Sequence, residues 1–246
     1  GSTYNYSESA RVRKFERRNP MTTEPEVNAD CTKLVILRPD EVAWETTDQT
    51  GVSRKILERV NDGEFGRETS LVRLAPNTRL APEVLETRLE VFVIEGMFSD
   101  GHGDYGARTF IMNPPGTTYT AASKEGCVIY VKRLNGFESD DERTTTDLNA
   151  AEWVPFGHRV AEVVPFYKNE ERDVTARVGK VFPNATIMEH DHPGGEEVLI
   201  LDGVFTDQFG DITPGSWARY PIGLAHAPHT ADDGALVYIR DGDVRW

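Results

Sequence analysis

In HDHPGGEEVLILDG two histidines, His190 and His192, stand one residue apart, and Glu196 follows four positions after the second. A third histidine, His226, ends the stretch GSWARYPIGLAH. Three imidazoles and one carboxylate form a donor set for a divalent transition metal, and donor type alone leaves Zn2+, Fe2+, Mn2+, Ni2+ and Cu2+ open. Four protein ligands can close a tetrahedron, as in a structural or sensory zinc site. With a larger coordination number the same four leave positions for water, dioxygen or a chelating substrate. An ion held that way can polarise a carbonyl or bring a ketone together with dioxygen.

Such chemistry needs elements that aim the ligands at one point. If His190 and His192 lie on a strand, the period of two turns both rings to one face. Pro193-Gly194-Gly195 reads as a tight turn, and Glu196 opens an apolar strand that runs to Gly203. On that strand Glu197 faces the other way, as a solvated or interfacial carboxylate. His229, just beyond Pro228, is a candidate outer partner of a ligand, with an exposed loop histidine as the plainer reading. His102 and His158 have no partner pattern and read as surface groups, and Trp44 and Trp153 as core.

The surrounding texture is all-β. LVRLA, EVFVIEG, TFIMN and CVIYVKR are short runs rich in Val, Ile, Phe and Tyr, separated by Gly, Pro, Asn and Asp. Many short strands of this kind predict a sandwich or small barrel. SRKILERV, 53–60, fits helix or strand. Its counterpart RVAEVVPFY carries a proline and β-branched residues and favours strand.

The chain also repeats itself. A shift of 107 positions lays LEVFVIEGMFSDGHGDY over EEVLILDGVFTDQFGDI, and Gly96 falls on Gly203, Asp104 on Asp211, Pro114 on Pro221 and Gly116 on Gly223. That period suits a duplicated domain rather than a solenoid. The polar stretch 140–147 reads as the linker, giving domains at 32–147 and 148–246 behind a flexible tail at 1–31. In the first copy Glu83 stands at the place of His190, Leu85 at His192, Leu89 at Glu196 and Tyr119 at His226. Leucine offers a cation no lone pair, so this copy is expected to be metal-free, with a packing role and room for an apolar ligand.

Composition narrows the function classes. A net charge of −14 argues against a broad nucleic-acid surface. The one basic cluster, Arg11 to Arg18, lies in the tail behind Gly1-Ser2, which has the look of a protease remnant. Apolar runs such as VLIL are too short to span a membrane as helices, and no signal-peptide core is present, so a soluble protein is expected. Two cysteines, Cys31 and Cys127, make no disulfide framework and fit a reducing cytoplasm.

These residues carry a family resemblance. FPNATIMEHDHPGGEEVLILDG resembles the first cupin motif in its His-x-His, its gap to glutamate and its gap to glycine, and Gly215, Pro221, Gly223 and His226 match the second. Thr230 replaces the customary terminal asparagine of that motif, and Pro183 or Asn184 stands near the usual opening glycine. More narrowly, GGEEVLILDGVFTDQFGD, EGMFSDGHGDY, NPPGTTYT and EGCVIYVK resemble the cupin domain of ChrR-type anti-sigma factors. The resemblance implies two tandem cupin barrels, each a double-stranded β-helix or jelly roll. One divalent metal is then held in the second barrel by His190, His192, Glu196 and His226, with Fe2+ and Zn2+ as the leading candidates. The first 31 residues lack the His-x3-Cys-x2-Cys pattern of the sigma-binding module, so that role is not implied. Two functions remain: a metal-dependent oxygenase acting on a small diketone or hydroxyketone, and a non-catalytic small-molecule or stress-sensing bicupin. Pairing through the sheets makes a homodimer an expectation, although the two halves could satisfy that tendency internally.

Overall fold

The computed structural model describes residues 22–137 and 142–245 and contains strands without a single helix among them. Among the described residues, therefore, no helix is long and apolar enough to cross a membrane. The basic cluster of the tail lies outside the described residues.

Each repeat folds into a barrel of antiparallel strands. In the first, Arg88–Ser99 lies between Thr109–Asn113 and Cys127–Leu134, followed outward by Arg67–Leu74 and Val52–Val60. In the second, Glu196–Asp207 lies between Trp217–Tyr220 and His229–Asp241, followed by Val174–Val181 and Ala161–Asn169. Segment 53–60 is thus strand, paired along its length with Arg67–Leu74, because alternate side chains have a core on either side to enter. The glycine that ends each motif is required by the backbone. Gly96 and Gly203 have φ of 79° and 70°, and a Cβ on either would lie 2.1 Å from a backbone carbonyl oxygen, that of Gly126 or Gly234.

The barrels exchange their leading strands. Val35–Leu37, in the first repeat, pairs with Trp217–Tyr220 of the second barrel, and Thr144–Asp147 pairs with Thr109–Asn113 of the first. Part of the polar stretch expected to be linker is therefore strand, and its threonines suit an edge position.

Strand alternation builds a core inside each barrel and a third between them, beside a small cluster of Cys31, Val60 and Val244. Val198, Ile200, Ala218, Tyr220 and Val237 fill the second barrel, while Val91, Val93, Ile129 and Val131 fill the first. Their immediate neighbours Leu199, Trp217, Tyr238, Phe92 and Tyr130 turn outward and meet between the barrels. Phe110 stacks on Phe166 across that seam at 4.2 Å, and Trp217 Nε1 donates to the Tyr130 hydroxyl at 3.2 Å. Trp44 and Trp153 pack against the same cluster, as expected of core residues.

The seam also carries buried charge. Lys132 meets Glu197, Glu58 takes both Arg67 and Arg219, and Glu90 takes both Arg88 and Arg240. Burial raises the Glu58 carboxyl, but Arg67, Lys132 and Arg219 outweigh it and bring its pKa down to about 2. Ion pairs this deep repay their desolvation only while every partner is present. Glu197 is thus interfacial, a buried acid that faces away from its own barrel.

Candidate metal centre

The four residues singled out for their spacing converge inside the second barrel. Glu196 opens its strand and is buried, and His226 is 1% exposed. His190 and His192 lie outside the named strands. A two-residue bridge does the aiming: the His190 N–H donates to the His226 carbonyl at 3.0 Å, and the His226 N–H donates back at 2.9 Å. The turn before Glu196 needs Gly195, whose φ is 75° and whose added Cβ would fall 2.3 Å from Val244 Cβ.

The nitrogens are presented for chelation. His190 Nδ1 is 2.8 Å from the Met188 carbonyl, His192 Nδ1 is 2.8 Å from Asp241 Oδ1, and His226 Nδ1 is 3.4 Å from Asp207 Oδ2. An acceptor at each Nδ1 favours the tautomer that leaves Nε2 free. His192 Nε2 and His226 Nε2 are 3.1 Å apart, and Glu196 Oε2 is 3.3 and 3.4 Å from them. Donors about 2.1 Å from one ion are spaced by roughly 3.0 Å in an octahedron and roughly 3.4 Å in a tetrahedron. These edges match that range.

The electrostatics of the cluster suit a bound cation. Burial pushes the Glu196 carboxyl up to about 7, only partly opposed by His192 and His226, and its Oε2 has no hydrogen bond. A buried oxygen in that condition is unfavourable unless a cation meets it. Burial lowers the His190 pKa, whereas at His192 the contacts with Asp241 and Glu196 outweigh burial and raise it.

Sequence reasoning missed several residues here. Asp207 accepts from the Tyr220 hydroxyl at 2.6 Å as well as supporting His226, and Asp241 holds Arg177 at 2.5 Å besides its contact with His192. Asp207 was within reach, since the 107-residue shift sets it on Asp100; Asp241 carries no motif. His229 is exposed and lines no part of the cavity, so Asp207 and Asp241 take the outer role considered for it. His158, read as a surface group, stands at the cavity rim.

The cavity above the cluster measures about 760 Å³. Val163, Ile187, Phe205, Pro228 and Ile239 give it apolar walls. Arg177 is the one Lys or Arg among its described lining residues, and it is occupied by Asp241 and Thr175.

The family described as ChrR Cupin-like domain matches residues 32–135 and again 141–245. No curated protein matches the chain. Among solved structures, a putative dioxygenase from Nostoc punctiforme superposes with a TM-score of 0.71 at 17% identity, covering 86% of this chain and 84% of that one. A putative glyoxylate-induced protein from Pseudomonas aeruginosa gives 0.70 at 13%, covering 92% and 93%. The Mn(II)-containing oxalate decarboxylase of Bacillus subtilis gives 0.61 at 11%, covering 86% and 78%. At these identities the likeness establishes a shared bicupin fold.

Proposed function

Because the chain belongs to the ChrR cupin-like family, we propose that it is a metal-dependent oxygenase acting on a small, uncharged diketone or hydroxyketone in the second barrel. His190, His192, Glu196 and His226 hold one divalent ion, Fe2+ or Zn2+ ahead of Mn2+, Ni2+ and Cu2+. The observation that carries the reading is the cluster of His190, His192 and His226, with Glu196 against His192 and His226, at an apolar cavity whose one Lys or Arg among the described lining residues, Arg177, is already paired. Beyond the ion itself, a dicarboxylate would find no free Lys or Arg there for its second carboxylate, whereas a ketone with alkyl or aryl substituents would bury them against Val163, Ile187 and Ile239.

When bound, the ion supplies Lewis acidity and a site at which a chelating substrate and dioxygen can meet. The protein's own residues prepare that event. Asp241, Asp207 and the Met188 carbonyl fix the imidazoles, the apolar walls orient the substituents, and the enclosing strands keep bulk water away from the polarised carbonyl. The test is metal analysis of protein expressed without added metal, followed by oxygen-electrode measurements with 2,4-pentanedione and with a panel of hydroxyketones. Stoichiometric iron and substrate-dependent O2 uptake are expected. Tightly held zinc with no O2 consumption on any of these compounds would sink the reading. That result would favour the second one, a ligand-sensing bicupin, supported by the two matches to a ChrR cupin and by three clustered imidazoles with Glu196 beside two of them, a set that can close a tetrahedron.

A further inference from the structure

The first barrel keeps a cavity of about 630 Å³ in the place where the second has its metal site. The correspondence is position by position. Leu80, Glu83, Tyr119 and Ala121 line the first cavity where Ile187, His190, His226 and Pro228 line the second, each 107 residues later. What changes is the chemistry of the lining. Leu85 and Leu89, at the places of His192 and Glu196, are buried in an apolar cluster with Val91, Ile129 and Val131.

Of the polar side chains in the lining, which also include Thr46, Thr47 and Gln49, two are buried. Tyr119 and Ser70 line the cavity and are 6% and 3% exposed, and neither hydroxyl has a hydrogen-bond partner among the described residues. With no protein partner, these two hydroxyls are open to a ligand oxygen at the cavity wall. Most charges at the rim are cancelled in pairs: Arg54 with Glu24 at 2.9 Å, Arg133 with Glu83 at 3.1 Å, and Glu68 with Arg59 at 2.7 Å. An anion therefore meets no free cation, and Asp48, the one lining carboxylate without an ion pair among the described residues, is exposed at the mouth rather than buried in the cavity.

We propose that the first barrel is a metal-independent binding site for a small uncharged molecule. Its apolar body lies against Val52, Leu74, Ile129 and Val131, and a carbonyl or hydroxyl oxygen meets Tyr119 and Ser70. The site stands apart from the second barrel's reaction and survives if that proposal fails.

The experiment titrates acetophenone into the full chain by calorimetry, with benzoate as the charged control. Ala121→Phe fills the first cavity and Val163→Phe the second, and metal content is measured for each variant. The expected result is a binding event that Ala121→Phe abolishes and Val163→Phe leaves in place, with metal content unchanged in the former. Tyr119→Phe weakens it about fivefold, the loss of one hydrogen bond, and benzoate binds at least about tenfold more weakly because its charge stays uncompensated. Should Ala121→Phe fail to fold, Leu80→Trp at the half-buried rim blocks the same cavity. No acetophenone binding, or binding that only Val163→Phe removes, overturns the proposal.

Discussion

The two barrels share strand order, register and a cavity in the same place, yet they carry opposite chemistry on the same inward-facing positions. At the centre of the second, Glu196 pairs across the sheet with Asp241. In the first, the same cross-strand pair is Leu89 and Arg133. Asp207 in the second barrel meets Tyr220 and His226, whereas Asp100 in the first is taken by Arg143 at 2.6 Å, which also bonds Asn113. The difference teaches that the scaffold does not define the site. A barrel becomes a candidate metal centre through some half-dozen inward side chains, while the alternate residues on the same strands build the seam that joins it to its twin.

The largest effect should come from making the second barrel resemble the first at one position. Converting His192 to leucine, the residue found at 85, removes a central donor, and metal analysis should show the ion lost from the isolated protein. Full occupancy would refute the ligand assignment. Circular dichroism should stay native, because the first barrel folds with leucine there.

Next in size are effects on the seam. Lys132→Met leaves Glu197 buried without its cation and should cost about 3–5 kcal/mol in denaturant unfolding. Since Lys132 lies between Val131 of the first core and Arg133 at the rim, while Glu197 follows Glu196, a loss of stability with unchanged metal affinity would show that the seam joins the barrels without tuning the site. Glu58 adds a pH signature. Its folded pKa, about 2, lies below the ordinary 4.5, so its contribution is fully present above about pH 4.5 and is lost as pH falls toward 2. Between those limits stability should drop by roughly 2–3 kcal/mol. Glu58→Gln should flatten that part of the profile, and an unchanged slope would place the acid sensitivity elsewhere.

Smaller still is the effect of the outer carboxylates. Asp241→Asn and Asp207→Asn keep shape but weaken the hold on His192 and His226, and each should lower metal affinity about 10- to 100-fold. Competition with a chromogenic chelator measures it. Equal affinity in both variants would mean that packing alone orients the imidazoles.

What was readable beforehand follows from range. The donor set His190, His192, Glu196 and His226 is local in sequence or tied to the repeat, and the repeat itself announces two barrels of one fold. Val35–Leu37 crossing to the other barrel was not legible, because an edge strand's partner is chosen by tertiary packing. Asp241 was hidden for a related reason. It enters the site through register with Glu196, 45 residues away, and an aspartate at a strand end carries no motif. Glu197, legible only as facing away, found its role in Lys132, 65 residues away.

That hidden acid gives the sharpest test of the comparison, and the smallest expected change. Suppose the first barrel receives all four donors at once, as Glu83→His, Leu85→His, Leu89→Glu and Tyr119→His. By sequence motif it should then hold a second ion. The structure predicts otherwise, because Arg133 stands where Asp241 stands in the second barrel and would lose its present partner, Glu83. A guanidinium facing the ligand cluster repels a divalent cation and offers the imidazole at 85 no acceptor. Metal analysis should therefore still find one ion per chain. Adding Arg133→Asp to the same variant restores both the charge and the acceptor, and the count should rise toward two. If the four donors alone suffice, the outer carboxylate contributes little, and the two barrels differ only in the residues that touch the ion.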